Sequence, residues 1–400
     1  MLETTSKTKT FFTIIALWCA FLPVDLSGQR SHTLSYGNPE QVGMSSAVLA
    51  GGTGLYQEAV DKGDLVGAVL MVVRQGRIVL HDAVGWKDKA RNLTMEPNTM
   101  FRMASNTKPL VATAIAQLVE DGKMSYSDMV RDYMPEWDNY RSGFINIGHL
   151  LSHSSGLRIS SLFLGPLMEP SAQHPNAPTL QLESARFGSI GAEVTPGQSY
   201  SYNNPGYNTL AALGEIVSGQ LLEEYLEANV YNPLGMEDSY NHQIGHDLEG
   251  KLNRMGEVYY RRSSETEEWI PEGTPGGPVA FPFARGSGGM ISTAIDYAIF
   301  CQMLLNGGIY GDTRILDEAS VQLLTSPKIT VGETSSYGYG FSIDNGVYGH
   351  SGSDGTRAWI DPEREIIAIV FTQTPGARRE GGNPWERFRD LINLSINNPS

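Results

Sequence analysis

Apolar residues at Leu110, Val111, Ala114, Ile115, Leu118 and Val119 recur at helical spacing, and Gly122 stands where such a helix would stop. The pattern predicts an amphipathic helix entered from Ser105-Asn106-Thr107-Lys108. Residues 66–73 and 77–84 read instead as strands, rich in Val, Leu and Ile and joined across Gln75-Gly76 as a hairpin. The C-terminal third adds strand-like runs at 338–343, 346–350, 356–361 and 366–372, and their short connections imply antiparallel pairing. Asn383-Pro384 then opens a last helix whose Trp385, Phe388 and Ile392 would face that sheet. Between about 105 and 285 the chain reads as helices and loops, with a turn-rich stretch at 196–207 running into an apolar helix from about Leu210 to Val217. The expectation is an α+β fold: one antiparallel sheet built from N- and C-terminal segments, flanked by helices, with a mainly helical region inserted.

On this reading residues 29–104 and 286–400 are the two parts of the sheet domain and 105–285 the helical region. Residues 1–28 stand apart as an export signal. Lys7 and Lys9 precede an apolar run, 11–22, too short to span a bilayer comfortably, and the polar Asp25-Leu26-Ser27-Gly28-Gln29 follows. That implies a periplasmic or extracellular protein with no stable membrane span after signal removal; a retained anchor is the alternative. Cys301 is then the only cysteine, so no disulfide can form within the chain. The 400 residues, 40% hydrophobic, can bury a large core without one. A net charge of -15 argues against a nucleic-acid partner.

Candidate chemistry begins at the helix entrance. Ser105 and Lys108 are three apart, so they share a helix face and the amine can reach the hydroxyl. A serine becomes a nucleophile when a base takes its proton, and a desolvated lysine with a lowered pKa can do that. A serine at a helix start also meets free backbone N–H groups able to hold an oxyanion. Ser6-Lys7-Thr8-Lys9 has the same spelling inside the export signal, so the pair needs support elsewhere. Tyr202 and Asn204 supply it as a Y-x-N: a phenol near a lysine can have its pKa lowered and shuttle a proton, and the amide can orient the lysine or a substrate. His350-Ser351-Gly352 is the only H-x-G in the chain. Gly349 and Ser351 begin a G-x-S-x-G, but Ser353 stands where the last Gly belongs and no histidine follows His350. His242 and His246 have zinc-pair spacing without the intervening Glu, and read as a surface loop; His149 and His153 read as structural histidines. No phosphate loop or clustered carboxylate set points to a nucleotide, metal or cofactor.

In this order, S-x-x-K, Y-x-N and H-x-G, the chain resembles the serine hydrolases of the class C β-lactamase, D-alanyl-D-alanine carboxypeptidase and family VIII esterase superfamily. Leu150-Leu151-Ser152-His153-Ser154-Ser155-Gly156-Leu157, Asn232-Pro233-Leu234-Gly235-Met236 and 288–296 match it as well, and the resemblance covers nearly everything from about residue 40 onward. It implies a β-lactamase-like fold and an acyl-enzyme on Ser105, with Lys108 and Tyr202 handling the proton, Asn204 positioning Lys108 or a substrate amide, and the backbone amides of Ser105 and Ser353 as oxyanion hole. The implied substrate is a small molecule or peptide: a carboxylic ester or a D-amino-acid-type amide. A carboxypeptidase, β-lactamase, acyltransferase or non-catalytic acyl-binding module on the same scaffold are the alternatives. His350 replaces the lysine of the K-T-G form, so attraction for a substrate carboxylate at that position should be weaker and partly recovered toward pH 6. Substrate choice would lie in 158–194, a segment of several prolines without clear periodicity.

Overall fold

The computed structural model describes Met1 and residues 32–158, 165–241, 243, 245–261, 268–272, 281–375 and 384–396. The segment expected to be an export signal lies, apart from Met1, outside the described residues, as do His242 and Asn383. Near the N-terminus, β1 (Ser35–Tyr36) and α1 (Ser46–Asp61) lead to β2 (Gly67–Arg74) and β3 (Arg77–Asp88), with β4 (Leu93–Thr94) beyond. From the other end come β5 (Ile329–Thr330), β6 (Ser335–Tyr337), β7 (Ser342–Asp344), β8 (Val347–Ser351), β9 (Thr356–Asp361) and β10 (Ile366–Thr372). They form a ten-stranded sheet in the order β1-β3-β2-β10-β9-β8-β7-β6-β5, with β4 on β3. The seam between the two ends of the chain is the antiparallel pair β2 and β10, from Thr372 opposite Ala68 to Ile366 opposite Arg74. β1 runs parallel to β3, the one departure from antiparallel pairing in this sheet.

Strand side chains alternate between faces, and here both faces are covered. Val69, Met71 and Val73 of β2 pack with Leu110, Val111 and Ile115 of α2 (Lys108–Glu120). Two further helices of the inserted region, α3 (Leu180–Ile190) and α4 (Asn204–Ser218), extend that core, as does α5 (Ala294–Leu305). Ala68, Leu70 and Val72 face the other way, onto α1 and the terminal α6 (Pro384–Ser395). Phe388 and Ile392 of α6 are fully buried there, each contributing about 1.5–3 kcal/mol. Trp385 sits at the edge, its ring 6.3 Å from that of Trp359. Among the described residues no helix is long and apolar enough to cross a membrane.

Three local expectations change. The run 338–343 is strand only from Ser342, where β7 begins; 338–341 is a turn between β6 and β7 in which Gly338 N–H donates to the Phe341 carbonyl at 2.8 Å and Gly340 has φ +91°. A side chain at 338 would meet the Leu324 carbonyl at 2.4 Å, so only glycine fits that crossing. α4 begins at Asn204, before Leu210, because the Asn203 side chain accepts from Gly206 N–H at 2.8 Å and Pro205 suits the first turn. Within 158–194, α3 forms behind Thr179, whose hydroxyl accepts from Leu182 N–H at 3.2 Å.

Candidate active site

The nucleophile turn hangs from a short strand, Phe101–Arg102, that pairs with Met290–Ser292. Ala104 follows in a left-handed conformation, φ +45°, and a 3₁₀ turn, Ala104–Thr107, runs into α2. Residues three apart eclipse in a 3₁₀ turn, which puts the Ser105 and Lys108 side chains together. Three contacts pin this turn. Thr107 Oγ1 donates to the Ala104 carbonyl at 2.7 Å and accepts from Met290 N–H at 2.9 Å; Asn106 Nδ2 donates to Thr356 Oγ1 at 2.9 Å. Thr356 Oγ1 in turn donates to the Met103 carbonyl at 3.0 Å, tying β9 to the nucleophile.

Lys108 is fully buried, yet no carboxylate touches it. Its Nζ contacts are Ser105 Oγ at 3.0 Å, Asn204 Oδ1 at 3.0 Å and the Ser287 carbonyl at 2.7 Å. Burial, reinforced by the positive charge of Arg285, holds the amine well below its ordinary range. A neutral amine has two hydrogens and one lone pair. The amide oxygen and the carbonyl can take the hydrogens, which leaves the lone pair for the Ser105 hydroxyl.

Tyr202 lies close enough to Ser105 for the hydroxyl to act on its pKa, and Lys108 Nζ lies 4.7 Å from the centre of its ring. Its pKa moves against expectation: burial raises it more than the Ser105 contact lowers it, so the phenol keeps its proton at neutral pH. His153 is buried with one ring nitrogen bonded and the other not. Its carbonyl accepts from Ser201 N–H at 2.7 Å and its Nδ1 from Asn203 N–H at 3.3 Å, gripping the chain on both sides of Tyr202, while Nε2 is buried without a partner.

His350 reaches the site from β8. Tyr337 Oη meets its Nε2 at 3.0 Å, and Ser351 N–H donates to Nδ1 at 2.9 Å. Burial first, and the nearby Lys108 second, push its pKa down to about 3, so it stays neutral at pH 6, contrary to the recovery expected from the sequence. Gly352 follows because nothing larger fits: a Cβ there would lie 2.3 Å from both the Met103 carbonyl and Thr356 Oγ1. This close approach brings the loop carrying Ser353 against the nucleophile turn. The amides of Ser105 and Ser353 donate to no protein acceptor among the described residues. The structure therefore gathers Ser105, Lys108, Tyr202, Asn204 and His350 around one point, and an acyl-transfer reaction could use them there. Sequence reasoning missed Ser287, Tyr337 and Arg285. A backbone acceptor, a strand tyrosine and an arginine in a Pro- and Gly-rich stretch carry no motif.

Residues 53–390 match a family model described as Beta-lactamase. A curated relative from Salmonella agona (strain SL483), provisionally named a D-alanyl-D-alanine carboxypeptidase, is 25% identical over 409 residues, covering 91% of this chain and 91% of its own length. EstCE1, described as a hydrolase with promiscuous acyltransferase activity, superposes with a TM-score of 0.72 at 22% identity, over 88% of this chain and 99% of its own. The octameric penicillin-binding protein homologue from Pyrococcus abyssi does so with a TM-score of 0.69 at 23% identity, over 87% of this chain and 77% of its own. The structural likenesses speak for the fold, and they share the α+β arrangement found here.

Proposed function

Because the chain belongs to the Beta-lactamase family of serine hydrolases, we propose that it cleaves a carboxylic ester or a D-amino-acid-type amide through an acyl-enzyme on Ser105. One observation carries the assignment of residues: Lys108 Nζ is buried, without an anionic partner, 3.0 Å from Ser105 Oγ. In the proposed sequence the Ser105 proton passes to Lys108 as the Oγ–acyl bond forms. The resulting oxyanion is held by the Ser105 and Ser353 amides. As the intermediate collapses, the leaving group takes a proton from the Tyr202 hydroxyl, which is refilled from the Lys108 ammonium. Water then attacks the acyl carbon and the same transfers run in reverse, freeing the acid and restoring Ser105. Asn204 keeps the amine aimed.

Neutral His350 offers polar contact and no charge, which favours esters over β-lactams whose carboxylate would lie against position 350. Export is a further part of the reading, supported by Lys7, Lys9 and the apolar run that follows; a shorter mature chain outside the cytoplasm is its test. Purified protein assayed with p-nitrophenyl esters, D-alanyl peptides and nitrocefin, with and without an added alcohol as acyl acceptor, tests the reaction class. Turnover of an ester or D-alanyl peptide supports it; inertness toward all three classes opposes it.

A further inference from the structure

Two arginines flank the nucleophile, and they differ in how their charge is met. Arg102 is bound on both sides, to Asp354 Oδ2 at 2.9 Å and to Glu272 Oε2 at 2.8 Å. Arg285 has no ion pair among the described residues, and its buried Nε has no hydrogen-bond partner. Its guanidinium stacks on the Phe281 ring at 4.0 Å, which fixes its plane. Burial and the charge of Arg102 draw its pKa down to about 10, so it remains a cation at neutral pH.

Its position matters as much as its lack of partners. Arg285 opens the turn whose Ser287 carbonyl holds Lys108 Nζ, and Gly288 of that turn lies against Ala104. The charge of Arg285 is felt at Lys108 on one side and at Asp354, beside Ser353, on the other. A mostly desolvated guanidinium with no ion pair among the described residues, only the more distant charge of Asp354, costs stability, and a ligand that brings an anion into contact removes part of that cost. A planar fork held in place matches a carboxylate best.

We propose that Arg285 receives a carboxylate carried by the substrate, so that the preferred ester or amide is an anionic one. This rests on the acyl-enzyme reading above. It also relocates the charge recognition that His350 does not provide, to the turn that holds Lys108, outside the three motifs.

The test compares kcat/KM for matched p-nitrophenyl esters, the neutral butyrate against the hemiglutarate, and for phenyl acetate against 3-acetoxybenzoate, which carries the carboxylate on the leaving group. Both members of a pair undergo the same chemistry, so any effect of Arg285 on Lys108 cancels in their ratio. Wild type is expected to favour the anionic member of at least one pair, and Arg285→Gln to reduce that ratio at least about tenfold. Arg285→Lys should retain part of it. Raising ionic strength should shrink the preference of wild type without any substitution, which keeps the test open if the variants fold poorly. A wild type indifferent to charge in both pairs, or an unchanged ratio in Arg285→Gln, overturns the assignment. Mass analysis of quenched reactions separates the two levels: a Ser105 adduct with an unchanged ratio removes the role of Arg285 alone, whereas the absence of any Ser105 adduct removes the catalytic reading and this inference with it.

Discussion

Lys108 Nζ and Ser105 Oγ stand 3.0 Å apart, and every other polar contact of that amine is to an uncharged oxygen. A lysine placed this way is able to act as a base in its neutral form, the role proposed for Lys108. Lys108→Met and Tyr202→Phe should each lower kcat at least about a hundredfold, the usual size of a general acid–base contribution. The double variant should lose far less than the product, since groups that act as a unit are not additive. Steady-state rates near wild type in either single variant would move the proton chemistry elsewhere.

The same burial links Lys108 to pH. Its folded pKa lies well below the ordinary 10.5, so over the interval between the two values the unfolded chain binds the extra proton. Wild type should therefore gain stability relative to Lys108→Met as pH rises through that interval, and kcat/KM should rise through the folded value as the amine becomes neutral. Melting curves of the two proteins across alkaline pH check the first part. Parallel curves would mean that Lys108 is not held neutral.

His350 gives an acid-side counterpart. Its pKa falls from 6.5 to about 3 on folding, so the folded state resists protonation. Stability from this group is complete above about pH 6.5 and is lost as pH drops toward 3. His350→Gln should flatten that part of the wild-type denaturation profile against pH. The ratio of ester to β-lactam turnover should not change on going from pH 7.5 to 6 through this residue, because it is neutral at both.

Ester hydrolysis should exceed β-lactam hydrolysis, read as kcat/KM for p-nitrophenyl butyrate against nitrocefin. His350→Lys should narrow the gap, by restoring a cation whose attraction for a carboxylate is worth on the order of 1–4 kcal/mol. A wild type that already prefers nitrocefin, or a lysine variant with an unchanged ratio, would show that charge at position 350 does not separate these substrates.

Gly352→Ala should destabilise the protein by about 1–3 kcal/mol, the usual cost of overpacking, and lower kcat by shifting the Ser353 amide. The cause is the 2.3 Å separation a Cβ would have from the Met103 carbonyl. Chemical denaturation and ester kinetics on the variant measure the two effects; wild-type values for both would place the loop differently from here.

How far the sequence revealed this site depends on whether the signal is local. The spacing of Ser105 and Lys108 is fixed by one turn of chain, and the hairpin of β2 and β3 by its alternation and Gln75-Gly76, so both could be read directly. α4 starts earlier than its apolar pattern suggests because the cap is the Asn203 side chain, inside the turn-rich stretch 196–207. The turn at 338–341 looked like strand because Phe341 is apolar, although that residue is buried within the turn itself. The pKa of Tyr202 was expected to fall and rises instead, since its surroundings, His153 among them, are assembled from distant segments. Arg285 was invisible for the same reason. Nothing near it in sequence says that its guanidinium has no ion pair among the described residues.

The most direct test of the central claim is to locate the acyl group. Wild-type protein quenched during turnover of p-nitrophenyl butyrate, or labelled with a fluorophosphonate, should carry one adduct that peptide mass analysis maps to Ser105. Ser105→Ala, folded as judged by circular dichroism, should carry none and show no ester turnover. An adduct on another residue, or full labelling of Ser105→Ala, would contradict the assignment.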